Sequence, residues 1–312
     1  NFPSVGLGWM VSNENFMKNF RTITSLKVRG SWGRVGNDRI NPSEFVTLLS
    51  TGLSAVFGDQ VVFGSTIAEI KDPNLKWETT EEIDLGIDFE AMNGHIAGVI
   101  DIYNKKTIGA LFNIPLPGGL GDNNNSMLTN AADILNRGLE VSLRYNKNSK
   151  GKFNYSLGVN ATFNHNEVLG LGNGLPTNFG SLRNGEFATR VATGQAIGSF
   201  WVYETQGVFQ TQAEVDAVPH FLGTQPGDFK VIDQNKDGKI NDLDRIYLGS
   251  YQPKCFMGMN GSFKYSNWDL NIDLLGNFGN KVFNGKKTVR YGGNYNIEKA
   301  VAEVEAVAKK MG

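Results

Sequence analysis

Cysteine and histidine are nearly absent: 312 residues hold one cysteine and three histidines. The lone Cys255 excludes a disulfide framework and any cysteine-based zinc site. His95, His165 and His220 are too far apart in sequence for metal-ligand spacing. Excess charge is absent too, with 30 basic and 31 acidic residues giving a formal net charge of −1. That balance lacks the basic footprint of a nucleic-acid binder. No apolar run reaches the roughly 18 residues that a membrane-spanning helix needs. What the chain does have is 38 glycines against 9 prolines, and 11% aromatic residues with only 20% charged. This composition fits an all-β protein with much loop.

The main signal is period-two alternation in runs of about ten residues. Ile83, Leu85, Ile87, Phe89 and Ala91 alternate with Glu82, Asp84, Gly86, Asp88 and Glu90. Leu139, Val141, Leu143 and Tyr145 alternate with Glu140, Ser142, Arg144 and Asn146, and the pattern returns from Phe153 to Asn164. Met257 to Tyr265 and Trp268 to Leu274 show it again, with Asp269, Asn271 and Asp273 on the polar side. Weaker versions occur at Val5–Val11, Leu26–Gly33, His95–Asn104 and Phe200–Phe209. Short links (Met92-Asn93-Gly94, Lys147 to Gly151, Ser266-Asn267) alternate with long ones: Arg34 to Thr80, Lys105 to Arg137, His165 to Ser199 and Gln210 to Lys254. The Asn93-Gly94 pair suits a tight hairpin, since both residues tolerate positive φ. Ten-residue strands with tight turns at one end and long loops at the other predict an antiparallel transmembrane β-barrel. Several apolar faces carry no charge, and aromatics (Phe89, Tyr145, Phe153, Tyr155, Tyr265, Trp268) gather beside the short turns, where a membrane-interface girdle belongs.

The competing reading is a soluble β-sandwich, which also alternates its faces. As a carbohydrate-binding module it would use a structural calcium. The visible strands, about eight, need not close, and from Ile297 onward the pattern changes. Ile297, Ala300, Val301, Val304, Val307, Ala308 and Met311 fall at helical spacing, which predicts a short amphipathic helix or a tail over 297–312.

One motif carries sharp chemistry. Asp233, Asn235, Asp237, Lys239, Asn241 and Asp244 occupy positions 1, 3, 5, 7, 9 and 12 of a calcium-type loop, with Gly238 at 6 and Ile240 at 8. A hard cation takes six to eight oxygens, and a loop wound around it presents alternate residues inward; Lys239 would offer only its carbonyl. The flanks read as extended, so this is no sensor hand with helices to swing apart. The alternative is an Asp/Asn/Gly turn without metal. No nucleophile–base grouping can be assembled, and the sequence offers no positive sign of an enzyme. The acidic run Glu78, Glu81, Glu82 and Asp84 would suit a glycosidase pair only if two carboxylates faced one another; alternation places Glu82 and Asp84 side by side on one solvated face.

Several stretches together resemble the barrel region of SusC/RagA-type TonB-linked outer-membrane transporters of the Bacteroidetes. They are Phe2-Pro3-Ser4-Val5, Asn15-Phe16-Met17-Lys18-Asn19 and Leu26-Lys27-Val28-Arg29-Gly30-Ser31-Trp32-Gly33. Next come Leu75-Lys76-Trp77-Glu78-Thr79-Thr80 with Ile83 to Phe89, Asn136-Arg137-Gly138-Leu139-Glu140 and Ile197-Gly198-Ser199-Phe200. Gly227-Asp228-Phe229 with the calcium-type loop and Asp244-Arg245 completes the series. The resemblance runs from Phe2 to about Gly285. It implies a barrel of about 22 strands around a plug, located in the cell outer membrane. Such a transporter imports glycans, peptides or other large nutrients, is driven by a TonB complex and is capped by a SusD-like surface lipoprotein. The plug, the TonB contact and the closing strands fall outside these residues, so 1–296 would be part of the barrel wall and its extracellular loops. Glu82, Asp84, Asp88, Arg144, Asp269 and Asp273 would then line the lumen and hold the plug, while the opposite face meets lipid. Loop aromatics such as Phe179 and Phe221 are candidates for stacking on a substrate.

Overall fold

A computed structural model describes residues 2–20, 22–38, 40–41, 44–120, 126–147, 151–172, 176–181 and 187–284. In chain order the strands are β1 (Ser4–Met10), β2 (Ile23–Asn37), β3 (Leu48–Phe57), β4 (Gln60–Glu69), β5 (Glu78–Ala91), β6 (Ile96–Pro115), β7 (Ser126–Lys147) and β8 (Phe153–Leu171). They continue as β9 (Thr177–Ser181), β10 (Phe187–Val191), β11 (Ser199–Tyr203), β12 (Thr205–Val208), β13 (Phe229–Val231), β14 (Arg245–Ser250), β15 (Cys255–Tyr265) and β16 (Trp268–Phe278). Among the described residues the one α-helix, α1 (Gln212–Asp216), is capped by the Thr211 side chain. No described helix is long and apolar enough to cross a membrane, which says nothing about crossing with strands.

Residues 1–175 with 255–276 form one compact unit. Its frame is an eight-stranded antiparallel sheet in the order β1-β2-β5-β6-β7-β8-β15-β16, with β1 and β16 as open edges. Register makes the alternation two-dimensional. Across the sheet Trp9 meets Val28, Val28 meets Ile87, Ile87 meets Ile100, Ile100 meets Val141, Val141 meets Ala161 and Ala161 meets Met257. Directly opposed residues share a face, so the apolar residues of successive strands merge into one band. On β8 the band extends from Phe153 to Phe163, ten steps of about 3.4 Å. At a tilt near 45° that gives a height of about 24 Å, close to the apolar belt of a membrane barrel. The band is not covered: Leu7, Leu85 and Ile102 are 78%, 59% and 59% exposed. A sandwich would bury these rows against a second sheet.

The strands outrun the band. β6 and β7 hold 20 and 22 residues, so the link Lys105 to Arg137, read as loop, is mostly a strand extension beyond the membrane. Composition hides this because the extension breaks the alternation: it carries a bulge and buries small and aliphatic residues such as Ala110, Ala132 and Ile134. Register slips between Thr107 and Leu111, where Gly109 takes φ +63°, a value that costs glycine nothing. Likewise the link Arg34 to Thr80 contains the separate β3–β4 hairpin, and β8 continues to Leu171. The β5–β6 turn is wider than an Asn-Gly pair: Met92, Asn93 and Gly94 all have positive φ.

Residues 176–254 with the described part of 277–312 form the second unit. It contains a four-stranded sheet, β14-β11-β10-β9, and the β12–β13 pair. The Phe200–Phe209 stretch, read as a weak wall strand, belongs here. Four of the five β11 residues are buried, which a strand facing lipid on one side and water on the other would not show. Val202 and Ala188 pack with Leu248 and Phe283. The predicted helix or tail over 297–312 lies outside the described residues.

Candidate functional site

The polar face of the wall is organised around Arg29. This residue stands on β2 opposite Gly86 of β5, which in turn stands opposite Asp101 of β6. The guanidinium reaches across Gly86 and donates to three carboxylates: Asp84 Oδ1 at 3.0 Å, Asp88 Oδ1 at 3.3 Å and Asp101 Oδ1 at 2.5 Å. Gly86 makes this possible, because a Cβ there would lie 2.5 Å from Arg29 Cζ. One cation thus gathers three carboxylates from two neighbouring strands. Farther toward the loops Lys105 faces Glu82 at 3.8 Å, and near the short turns Lys264 faces Asp269 at 3.8 Å.

The predicted lumen residues Glu82, Asp84, Asp88, Arg144, Asp269 and Asp273 share this face by register, and only Asp84 and Asp88 enter the Arg29 cluster. Sequence reasoning missed Arg29 and Asp101. Both lie on the polar side of alternating strands, but which of them meet depends on register. The acidic run Glu78, Glu81, Glu82 and Asp84 is divided among different partners. Glu81 turns to the other face, accepting from Trp32 Nε1 at 2.9 Å and Arg34 at 3.3 Å. Glu78 accepts the Leu111 backbone N–H at 3.2 Å.

Above the band, Asn130 of β7 holds the Leu75-Lys76-Trp77 segment. It accepts the Lys76 N–H at 2.7 Å, and its amide donates to the Lys76 carbonyl at 2.8 Å and to the Gly109 carbonyl at 2.7 Å. One side chain thus ties the approach to β5 onto the bulge of β6.

In the second unit the calcium-type loop closes through its own amides. Asp233 accepts from the Gly238 N–H at 2.9 Å, Asn235 from the Asp237 N–H at 3.1 Å and Asp237 from the Lys239 N–H at 2.9 Å. Asp244 is fully buried and accepts from Gln234 N–H at 2.9 Å and Asn241 N–H at 2.8 Å. It thus joins the two ends of the loop. Gly238 takes φ +82°. The Asn235 amide, then the Lys239 N–H, hold the Asp237 carboxyl below the ordinary aspartate value. Among the described residues no group of three or more His, Cys, Asp or Glu is gathered as metal ligands. Phe221 packs edge-on against Tyr203, with ring centroids 5.4 Å apart. The Phe179 side chain lies outside what the structure describes.

Residues 1–227 match the model of the family described as TonB dependent receptor-like, beta-barrel. The chain belongs to the TonB-dependent receptor family. This receptor chain is 33% identical over 288 residues to TonB-dependent receptor P3 of Formosa agariphila, an alignment covering 91% of the chain and 28% of that relative. It is 30% identical over 295 residues to TonB-dependent receptor SusC of Bacteroides thetaiotaomicron, covering 90% and 28%. Among solved structures it is similar to the RagAB peptide importer in its closed-closed state, with a TM-score of 0.72, 19% identity, and coverage of 95% of this chain and 31% of that one. That likeness shows the fold. The receptor chain spans a little over a quarter of the length of the curated relatives it matches, and its eight-stranded sheet is a partial barrel. Its place is the outer membrane, where the apolar band meets lipid. The named relatives are receptors rather than enzymes.

Proposed function

We propose that these residues supply wall and extracellular loops to a transporter that imports glycans, peptides or other large nutrients, works with a SusD-like lipoprotein and draws energy from a TonB complex. The observation that carries this reading is the one-sided apolar band with a charged reverse face: such a sheet needs lipid on one side and water on the other. The relatives support it in kind, since one bears the name SusC and a structural neighbour is titled a peptide importer. The part described here takes no catalytic role. Its inner wall, with Glu82, Asp84, Asp88, Arg144, Asp269 and Asp273, holds the plug by charge, and its loops meet substrate and lipoprotein, Phe179 and Phe221 among the candidate contacts. Deleting the gene in its native host and following growth on single oligosaccharides or peptides tests the reading. Loss of growth on one nutrient class, restored by the gene, is expected; undiminished growth and uptake on every nutrient would refute it.

The same proposal assigns calcium to Asp233, Asn235, Asp237, the Lys239 carbonyl, Asn241 and Asp244, as a clip that stiffens a long loop. Support comes from the spacing and from Gly238 at its positive φ. Asp233, Asn235 and Asp237 share one exposed turn, where side-chain rotation can exchange amide partners for a cation. Terbium luminescence on the purified receptor, competed by calcium and lost in Asp237→Ala, is the expected result. A silent wild type would leave the loop a self-closed turn.

A further inference from the structure

Among the described residues only two buried side-chain polar atoms lack a hydrogen-bond partner, Arg190 Nε and Gln195 Oε1. Both belong to one hairpin of the second unit: Arg190 stands on β10, and Gln195 in the connector to β11. Folded chains leave few such groups unpaired, because each has given up its hydration for nothing. Arg190 is the sharper of the two. Its guanidinium lies over the indole of Trp201, with Cζ 3.2 Å from the ring centroid. Its strand neighbours by register are the neutral Asn178 and Ser199. Burial draws its pKa below the ordinary arginine value, and no described carboxylate offsets that effect. Arg245 shows the completed arrangement on the same sheet. Its Cζ lies 4.4 Å from the Tyr203 ring centroid, and its Nε donates to Asp242 at 3.0 Å. Arg190 has the ring without the acid.

We propose that Arg190, seated on Trp201, is a binding site for a carboxylate carried by the imported nutrient, the acid group of a uronate-bearing oligosaccharide or of a peptide. This rests on the transporter reading above and adds the charge of the substrate to it. A ring beneath a guanidinium fixes its plane and leaves the N–H edge free for a flat, two-oxygen acceptor. Burial strengthens the pairing, because little solvent is left to screen it. A neutral ligand would leave the cation as unpaired as it is now. Where the receptor pairs an arginine for its own fold, the acid comes from the same or a neighbouring strand or turn, as Asp84, Asp88 and Asp101 do for Arg29 and Asp242 does for Arg245. The neutral neighbours of Arg190 depart from that rule, which points to an acid that arrives from outside the chain.

The test uses the complete receptor, purified in detergent with its SusD-like lipoprotein, and titration calorimetry with paired probes. One pair is trigalacturonate and its methyl ester; the other is an alanine tetrapeptide with a free C-terminal carboxylate and its C-terminal amide. In one of the pairs the acid should bind roughly tenfold to a hundredfold tighter than its neutral twin, the worth of one charge-assisted pair. Which pair responds names the source of the carboxylate. Arg190→Gln should bring the acid down to the affinity of its twin and leave the twin unchanged. Arg190→Lys keeps the charge without the flat fork and should lose most of the preference, so the comparison survives a Gln variant that does not assemble. Acids bound no better than their twins in both pairs, or an acid preference that survives Arg190→Gln, would overturn the proposal. So would a ligand-free Arg190→Gln receptor that melts lower while the wild type shows no acid preference, which would assign the arginine to a carboxylate of the receptor's own chain. Uptake of a neutral nutrient by the same receptor would leave the transporter reading standing as this proposal falls, and the gene-deletion growth test decides that reading separately.

Discussion

Gly86→Ala in the complete receptor probes the inner-wall cluster directly. The added Cβ would stand 2.5 Å from Arg29 Cζ, with Asp101 Oδ1 also in its way. The clash itself is cheap, because a guanidinium ends a flexible chain and swings aside. What is lost is its seat between Asp84, Asp88 and Asp101. Three charge-assisted bonds, each about 1.5–3 kcal/mol when shielded, are removed together. Side-chain exposures of 17–35% admit enough solvent to reduce the sum substantially, and alanine recovers about 0.5–1 kcal/mol over glycine in a strand. The net expectation is a loss of about 2 kcal/mol. Urea unfolding of the detergent-solubilised receptor measures it. In an Arg29→Met background there is no guanidinium to displace and only the Asp101 carboxylate must turn aside, so the same substitution should cost less than about 1 kcal/mol. Equal destabilisation in both backgrounds would refute the argument, since it would mean that the glycine serves the backbone and not the arginine.

Three further outcomes follow from the structure. Val141→Arg, at the middle of the apolar band, should cost about 2–4 kcal/mol and impair outer-membrane assembly, whereas Ser142→Arg on the wet face should assemble normally; heat-modifiable migration separates the two. Asn130→Ala leaves the Lys76 N–H and the Gly109 carbonyl without this partner, at about 1–3 kcal/mol, and limited trypsin digestion should then cut at Lys76 sooner. For Asp237 the folded pKa is depressed, so the closed turn is favoured above the unfolded aspartate value of about 3.9 and is lost as pH falls through the lowered folded value. Protection of the Lys239 amide, its exchange relative to the intrinsic rate at each pH, should therefore persist at pH 5 and fall below that range. Asn235→Ala should move the loss of protection to higher pH, and an unmoved profile would contradict the assignment.

Much of the wall was legible from local pattern alone. Ile83 to Phe89 and Leu139 to Tyr145 alternate without a charged interruption, and a strand has only two faces, so an apolar row and a wet row follow from period two. The tight turns were legible because few residues accept positive φ, although Met92 joins the turn against its own propensity. The family signatures were legible as well. The calcium-type spacing could be read in advance, but not that Asp244 would be buried with both oxygens on backbone amides.

The remainder was decided by pairing between distant strands. Arg29, Asp84, Asp88 and Asp101 come from three strands and up to 72 positions apart, and a slip of one residue would send Arg29 to the lipid face. Where strands ended was not legible either: past the band the alternation that marks a strand fades, with Ala110, Ala132, Ile134 and Val168 buried, while its hydrogen bonds continue. Phe200–Phe209 shows the converse, an alternating stretch drawn into a small buried sheet, because local sequence records which side is apolar but not what covers it. Periodicity by itself therefore determined the two-faced strand and the tight turn. Only the three-dimensional pairing determined which charges meet, since a hydrogen-bonded ladder joins residues by register and not by proximity along the chain.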